Sequence, residues 1–243
     1  MMFLRSVELL REKITQVNQN QYPFSIPTIQ SLDVIKLTSN VTFFVGENGS
    51  GKSTLLEAMA YQCGFNTAGG GRNNNYNLEG SESALGEHIR LSWLPKITNG
   101  FFLRAESYYN FATHIDSVDA QQYYGGRSLH EQSHGESFLS LFVNRFSGKG
   151  IYLLDEPEAA LSPAKQLTFL RVLYDLQDTS QFIIATHSPI ILGFPDAQIL
   201  SFDHSRIREI QYEETEHYQL TRRFLENKKQ YLNELFAERE DDL

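Results

Sequence analysis

The sequence predicts an α/β fold with a mainly parallel central sheet flanked by helices, and three observations predict it. Ile151-Tyr152-Leu153-Leu154 and Gln181-Phe182-Ile183-Ile184-Ala185 are short, continuously apolar runs, the pattern of central strands covered on both faces. Between them, Ser162-Pro163 supplies an N-cap and a first-turn proline. Leu167, Leu170, Val172, Leu173 and Leu176 then form a helical apolar stripe, so strand, helix and strand make one crossover unit. Finally, the glycine-rich segment Gly46-Glu47-Asn48-Gly49-Ser50-Gly51-Lys52-Ser53 lies after a strand-like run and before a helix-like one, where a phosphate-cradling loop belongs.

The remaining elements follow in order. Val34-Ile35-Lys36-Leu37 and Val41-Thr42-Phe43-Phe44-Val45 read as two strands joined by a turn at Thr38-Ser39-Asn40. A helix runs from Leu55 to Cys63 and stops at Gly64. Residues 66–77, with Gly69-Gly70-Gly71 and Asn73-Asn74-Asn75, have little apolar content and are expected to be a mobile loop. Phe101-Phe102-Leu103-Arg104-Ala105 reads as a strand, and Phe138-Leu139-Ser140-Leu141-Phe142 as part of a buried helix. A hairpin is expected between 199–202 and 207–210, around Asp203-His204-Ser205. A helix over 214–236 follows, whose Leu220, Phe224, Tyr231, Leu232 and Leu235 either pack on the core or dock a protein partner. The organisation is thus one domain over 1–213, with a small antiparallel β part and a helical subdomain inserted at about 78–147. A C-terminal helix and acidic tail occupy 214–243.

Composition excludes several classes. The 21 basic and 30 acidic residues give a net charge of -9, with no global basic signature for nucleic acid, although a local basic patch stays open. Cys63 is the single cysteine, so neither an intrachain disulfide nor a cysteine zinc cluster can form; a small buried apolar role fits it, and a reducing, cytoplasmic setting is expected. Charges break every apolar run before the roughly 18 residues that a membrane helix needs, so no transmembrane segment is expected in this chain.

The phosphate loop carries the chemistry. Its glycines let successive backbone N–H groups converge on one anion, and the following helix adds the positive end of its dipole. Lys52 then reaches the β and γ phosphates, Ser53 ligates Mg2+, and Thr54 continues the binding segment Gly46, Glu47, Asn48, Gly49, Ser50, Gly51, Lys52 and Ser53. Downstream, the strand ending in Asp155-Glu156-Pro157 puts two carboxylates at the carboxyl edge of a parallel sheet, where ligands bind. Asp155 can hold the metal, and Glu156 is free to orient and deprotonate water. An isolated Asp-Glu would read as a solvated strand end; after this loop it reads as catalytic.

With the phosphate loop, Leu154-Asp155-Glu156-Pro157 and Ala185-Thr186-His187-Ser188 in that order, the sequence resembles the ABC-type P-loop ATPase superfamily over about 34–188. The resemblance implies ATP and Mg2+ as ligands and His187 as a switch histidine contacting the γ phosphate. It also implies a signature segment that, in an ATP-dependent homodimer, receives the nucleotide of the opposite copy. Ser133, Gly135 and Glu136 of Gln132-Ser133-His134-Gly135-Glu136 are the candidates, departing from the usual Leu-Ser-Gly-Gly-Gln at the second and last positions. A capped helix start would explain the same residues. Glu158-Ala159-Ala160-Leu161-Ser162 resembles the loop that contacts the other copy, with Ser162 in place of the common Asp. No glutamine clearly ends the strand leading into the helical subdomain, and Glu106 is the candidate replacement, as a further metal ligand. Tyr22 and Phe24 both stand where an adenine-stacking aromatic would be; either would equally serve as core.

The interval from Ser53 to Ser133 is too short for the long coiled-coil arms of chromosome-maintenance and break-repair relatives. The wording Asp-Glu-Pro-Glu-Ala-Ala-Leu-Ser-Pro with Ser-His-Gly-Glu is similar to compact, stand-alone bacterial ATPases related to the RecF and overcoming-lysogenization-defect groups. Three readings follow: an ATPase switch acting on a nucleic-acid-linked or defence-related partner, the nucleotide-binding subunit of a transporter, or an ATP-binding module with little hydrolysis. The missing glutamine and altered signature weigh against the second, and intact Glu156 and His187 against the third.

Overall fold

Alternation along the central strands divides the apolar side chains between two cores. The computed structural model describes residues 2–67, 69–72, 84–104, 113, 115, 142 and 148–237. Its strands are β1 (Leu4–Leu9), β2 (Val34–Lys36), β3 (Val41–Val45), β4 (Ile89–Trp93), β5 (Gly100–Arg104), β6 (Gly150–Asp155), β7 (Ser180–Ala185), β8 (Gln198–Ser201) and β9 (Arg208–Ile210). Its helices are α1 (Pro27–Gln30), α2 (Lys52–Cys63), α3 (Pro163–Leu176), α4 (Pro189–Leu192), α5 (Glu216–Glu226) and α6 (Lys228–Phe236). The central sheet has the order β5-β6-β7-β3-β8-β9, parallel throughout except for the terminal β8–β9 hairpin. A smaller antiparallel sheet runs β2-β1-β4. The expected mainly parallel sheet with a small antiparallel part is therefore what the chain forms.

On one face, Phe43, Phe101, Leu103, Tyr152, Leu154, Phe182 and Ile184 pack with Phe169 and Leu173 of α3 and with Ile191 and Leu192 of α4. The other face carries the intervening residues, Phe44, Phe102, Leu153, Ile183 and Ala185. They pack with Leu55, Leu56 and Met59 of α2 and with Leu4, Val7 and Ile35 of the small sheet. A buried aromatic or aliphatic side chain contributes roughly 1.5–3 kcal/mol, so these layers are what hold the strand ends in register. Gln181 joins the two sheets: its Oε1 accepts from the backbone N–H of Phe3 (3.0 Å) and Leu4 (2.8 Å), and its Nε2 donates to Leu4 O at 2.9 Å.

Several expectations need correction. The runs at 34–37 and 41–45 are both strands, as expected, and belong to different sheets; β2 alternates exposed and buried and edges the small sheet, while every residue of β3 is buried and central. The face that α3 buries is Gln166, Phe169 and Leu173, and Leu167 is exposed. Gln166 goes inward because its amide donates to Leu161 O and accepts from Ser188 Oγ. Ser162 occupies the N-cap position without a side-chain capping bond. Of the loop expected over 66–77, Thr67 and Gly69, Gly70 and Gly71 are buried. Gly70 exchanges two backbone bonds with Phe102, and Arg72 Nε donates to Cys63 O at 2.8 Å. Cys63 itself is buried, which pushes its thiol up to about 12 and suits the inert role.

The single helix expected over 214–236 is two helices. Residues 212–214 form a short turn closed by a capping box between Gln211 and Glu214, and Asn227, at φ -129° and ψ 35°, interrupts the helical path between α5 and α6. Neither helix buries a residue, so packing on the core is not their role in this structure. No described helix is long and apolar enough to cross a membrane.

Candidate functional site

The loop from Gly46 to Ser53 joins β3 to α2, and Lys52 turns back over it. The Lys52 ammonium donates to Gly46 O at 2.5 Å and to Glu47 O at 2.9 Å. Burial lowers its pKa, against the opposing pull of Glu156, Asp155, Asp203 and Glu47. Two neighbouring segments clamp the loop. Asp203, just past β8, accepts from Glu47 N–H at 2.9 Å through Oδ1, and the Thr28 hydroxyl of α1 donates to Ser50 O. These clamps explain two glycines. A Cβ at Gly46 would stand 2.9 Å from Asp203 Oδ1, and one at Gly51, whose φ is +103°, would stand 3.0 Å from Thr28 Oγ1.

Tyr22 and Phe24 part company here. Phe24 is buried in the core beneath the small sheet, whereas Tyr22 is 73% exposed with its hydroxyl 3.2 Å from Thr54 Oγ1, at the start of α2. Only Tyr22 has a ring face free beside the loop.

The acidic edge lies across from it. Ser53 Oγ donates to Asp155 Oδ1 at 2.9 Å, bringing together the two oxygens expected to serve a metal. In register with Asp155 stands Arg104 at the end of β5. Its Nε is 3.6 Å from Asp155 Oδ2, and its Nη1 donates to Glu57 Oε2 at 3.2 Å. Burial raises the Glu57 pKa, and Arg104 opposes that rise. Glu156 leaves the strand in a left-handed conformation, φ 53° and ψ 52°, with its N–H on Ala185 O. That turn sends the two adjacent carboxylates to different partners. Glu156 Oε1 stands 3.5 Å from His187 Nε2, a buried nitrogen that makes no hydrogen bond among the described residues. Ser50 Oγ, in the phosphate loop, is likewise buried and without a partner among them.

His187 is held from three sides. Its backbone N–H donates to Glu158 Oε1 at 2.5 Å, its Nδ1 lies 3.0 Å from His217 Nε2 of α5, and its Nε2 faces Glu156. Burial lowers its pKa, with Lys52 and His217 adding to the fall and Glu156 and Glu47 opposing it. Glu158 is thus turned inward as an anchor of the loop that carries His187, and its own pKa is raised by burial despite the bond from His187 N–H.

Glu47, Asn48, Gly49, Lys52, Ser53, Asp155, Glu156 and His187 therefore gather at one sheet edge, as the order of motifs in the chain implied. Glu106 and the signature candidates Ser133, Gly135 and Glu136 lie outside the described residues. Arg104, Glu57, Thr28, Asp203 and His217 are participants that sequence reasoning missed. For Arg104 the available signal was its place at the carboxyl end of a predicted strand; the others belong to segments without a motif.

A family model described as "AAA domain" matches residues 24–242, nearly the whole chain. The chain belongs to this AAA domain family. In this AAA domain the phosphate loop follows β3 and the paired carboxylates follow β6 at one edge of the central sheet. Solved structures similar to it include an SMC head domain from Thermotoga maritima, at 18% identity and TM-score 0.47, covering 86% of this chain and 99% of that one. Another is the ADP conformation of an ATP-binding cassette of an ABC transporter, at 16% identity and TM-score 0.48, covering 98% of this chain and 100% of the other. A third is cbiO1 from Clostridium perfringens, part of an ABC transporter complex, at 18% identity and TM-score 0.46, covering 84% and 91%. No curated protein matches the AAA domain chain.

Proposed function

We propose that this chain binds ATP with Mg2+ and hydrolyses it, and that two copies close head-to-tail around the nucleotide as a switch on a partner. The observation that carries the reading is the pairing of Ser53 with Asp155 and of Glu156 with His187 at the edge beside Lys52. The residues fit the ligands. Lys52 has a buried ammonium resting on two carbonyls that phosphate oxygens can replace, and Ser50 Oγ and His187 Nε2 are buried polar atoms with no protein partner among the described residues. Ser53 and Asp155 would hold Mg2+, a small protein share that suits an ion keeping waters and phosphate oxygens in its shell. When bound, the ion supplies neutralisation of the phosphate charge.

Glu156 then accepts a proton from water as that oxygen attacks the γ phosphorus and the bond to the bridging oxygen of ADP breaks. His187 Nε2 faces the γ phosphate, and Tyr22 offers its exposed ring to the adenine. Ser133, Gly135 and Glu136 serve the nucleotide held by the second copy. The partner is nucleic-acid-linked or defence-related, a reading supported by the resemblance to compact stand-alone ATPases, and the exposed C-terminal helices are its docking element.

Glu156→Gln tests this. The amide keeps the size but cannot take the proton, so ATP affinity should stay within about twofold while phosphate release falls about a hundred- to ten-thousand-fold. Light scattering should show the variant accumulating as a dimer with ATP and magnesium. Turnover above about a tenth of the parent's would remove Glu156 as the base, and a monomer at saturating ATP would remove the switch.

A further inference from the structure

The contact between His187 and His217 has a polarity that its surroundings decide. Two ring nitrogens 3.0 Å apart share one proton, so either His217 Nε2–H donates to His187 Nδ1 or the reverse. If His187 donated from Nδ1, its Nε2 would present a lone pair to the Glu156 carboxylate 3.5 Å away, and two acceptors would face each other. If His217 donates, His187 carries its proton on Nε2, pointing at Glu156 and at the space beside Lys52. The groups facing the His187 ring are Glu156, Lys52, Glu47 and His217, and Glu158 holds its backbone. Because burial and Lys52 lower the pKa of His187, the ring is predominantly neutral near pH 7 and has a single proton to place.

We propose that His217 is a positioning residue: by donating Nε2–H to His187 Nδ1 it fixes the His187 ring as the Nε2–H form, the donor a γ-phosphate oxygen requires. This rests on the reading of His187 as the γ-phosphate contact. It gives α5, which buries no residue, a reason to lie against the switch loop. The approach of α5 is secured by Tyr212, whose hydroxyl donates to Pro189 O at 2.9 Å and whose ring meets Tyr218 with centroids 4.6 Å apart. Hydrolysis is thereby tied to the position of an otherwise peripheral helix.

The experiment compares the full chain with His217→Ala, His217→Gln and His187→Ala. Gln can place an amide N–H near the imidazole Nε2. Turnover of His217→Ala should drop about tenfold, the scale of losing a residue that orients a functional ligand, with KM for ATP and the melting temperature unchanged. His217→Gln should recover most of it. Imidazole 15N shifts on the nucleotide-free protein should show His187 protonated at Nε2 in the parent and in His217→Gln, and a mixture of ring forms in His217→Ala. A parent His187 protonated at Nδ1, or a His217→Ala enzyme within about twofold of parental turnover, overturns the proposal. Loss of turnover in His187→Ala with His217→Ala unaffected keeps the hydrolysis reading and discards this one. The expected ring forms in a parent that binds ATP without turnover would support the pairing and discard hydrolysis instead.

Discussion

Around the phosphate loop, backbone groups are tied down by separate segments: Asp203 from beyond β8, Thr28 from α1, and Lys52 from the loop's own end. Across the molecule, α5 and α6 bury no residue and expose Leu220, Leu225, Leu235 and Phe236. The same chain therefore holds one region by convergent bonds from separate segments, while the described contacts of α5 with the segments around it include the His187–His217 pair, the Tyr212–Tyr218 rings and the Gln219 amide on Glu213 O. Convergent anchoring keeps N–H groups aimed before any anion arrives, whereas a lightly held helix can be displaced without disturbing either core.

The comparison breaks most visibly at Asp203. Removing its carboxylate in Asp203→Ala leaves Glu47 N–H without its acceptor and frees the Gly46 turn. A hydrogen bond to a charged acceptor contributes about 1.5–3 kcal/mol, and we expect ATP affinity to fall about tenfold or more, measured by titration calorimetry. Unchanged affinity would mean that the loop is preorganised by its own sequence alone.

A second variant sharpens the role of Glu158. Its folded pKa is raised, so the folded state binds more protons than the unfolded chain between the ordinary glutamate value and the raised one, and stability falls as pH rises through that window. Glu158→Gln has no proton to lose, and its amide oxygen can still accept from His187 N–H. Its melting temperature should therefore gain on the parent's as pH is raised from about 4 to about 7, a trend that calorimetry can follow. A difference independent of pH would show that the carboxyl titrates normally.

The smallest effect is expected at the other end. Ending the chain after Glu226 removes α6 and its Phe224–Tyr231 ring contact but, among the described residues, no buried side chain. The melting temperature should move by less than about 2 °C and turnover by less than about twofold, as for surface changes generally. A larger fall would mean that α6 stabilises α5 against the loop that carries His187.

What was legible in the sequence follows the same division. The phosphate loop, Asp155, Glu156 and His187 were readable because each sits in a short contiguous pattern whose neighbours imply strand or helix. Continuous apolar runs identified β6 and β7 because both of their faces are covered. By contrast, Thr28 with Ser50, Gln181 with Leu4, Arg104 with Asp155 and His217 with His187 are pairings between distant segments, with no period or motif to announce them. Residues 34–37 and 41–45 were recognised as strands, but their membership of two different sheets was not, since a strand's own sequence does not name its partner. The C-terminal stripe showed an apolar face, and period alone does not say whether that face is covered.

The left-handed backbone at Glu156 sets a price on the chemistry. Outside glycine, asparagine and aspartate, a residue held at φ 53° costs of order 1–3 kcal/mol, so the residue at this position is not the one the backbone would choose. A selection for heat resistance alone would drift toward Glu156→Asn or Glu156→Gly, each relaxing the turn while deleting the proposed base. Stabilised descendants of this chain obtained without an activity screen should therefore be sequenced first at this codon, because thermal robustness and turnover pull there in opposite directions.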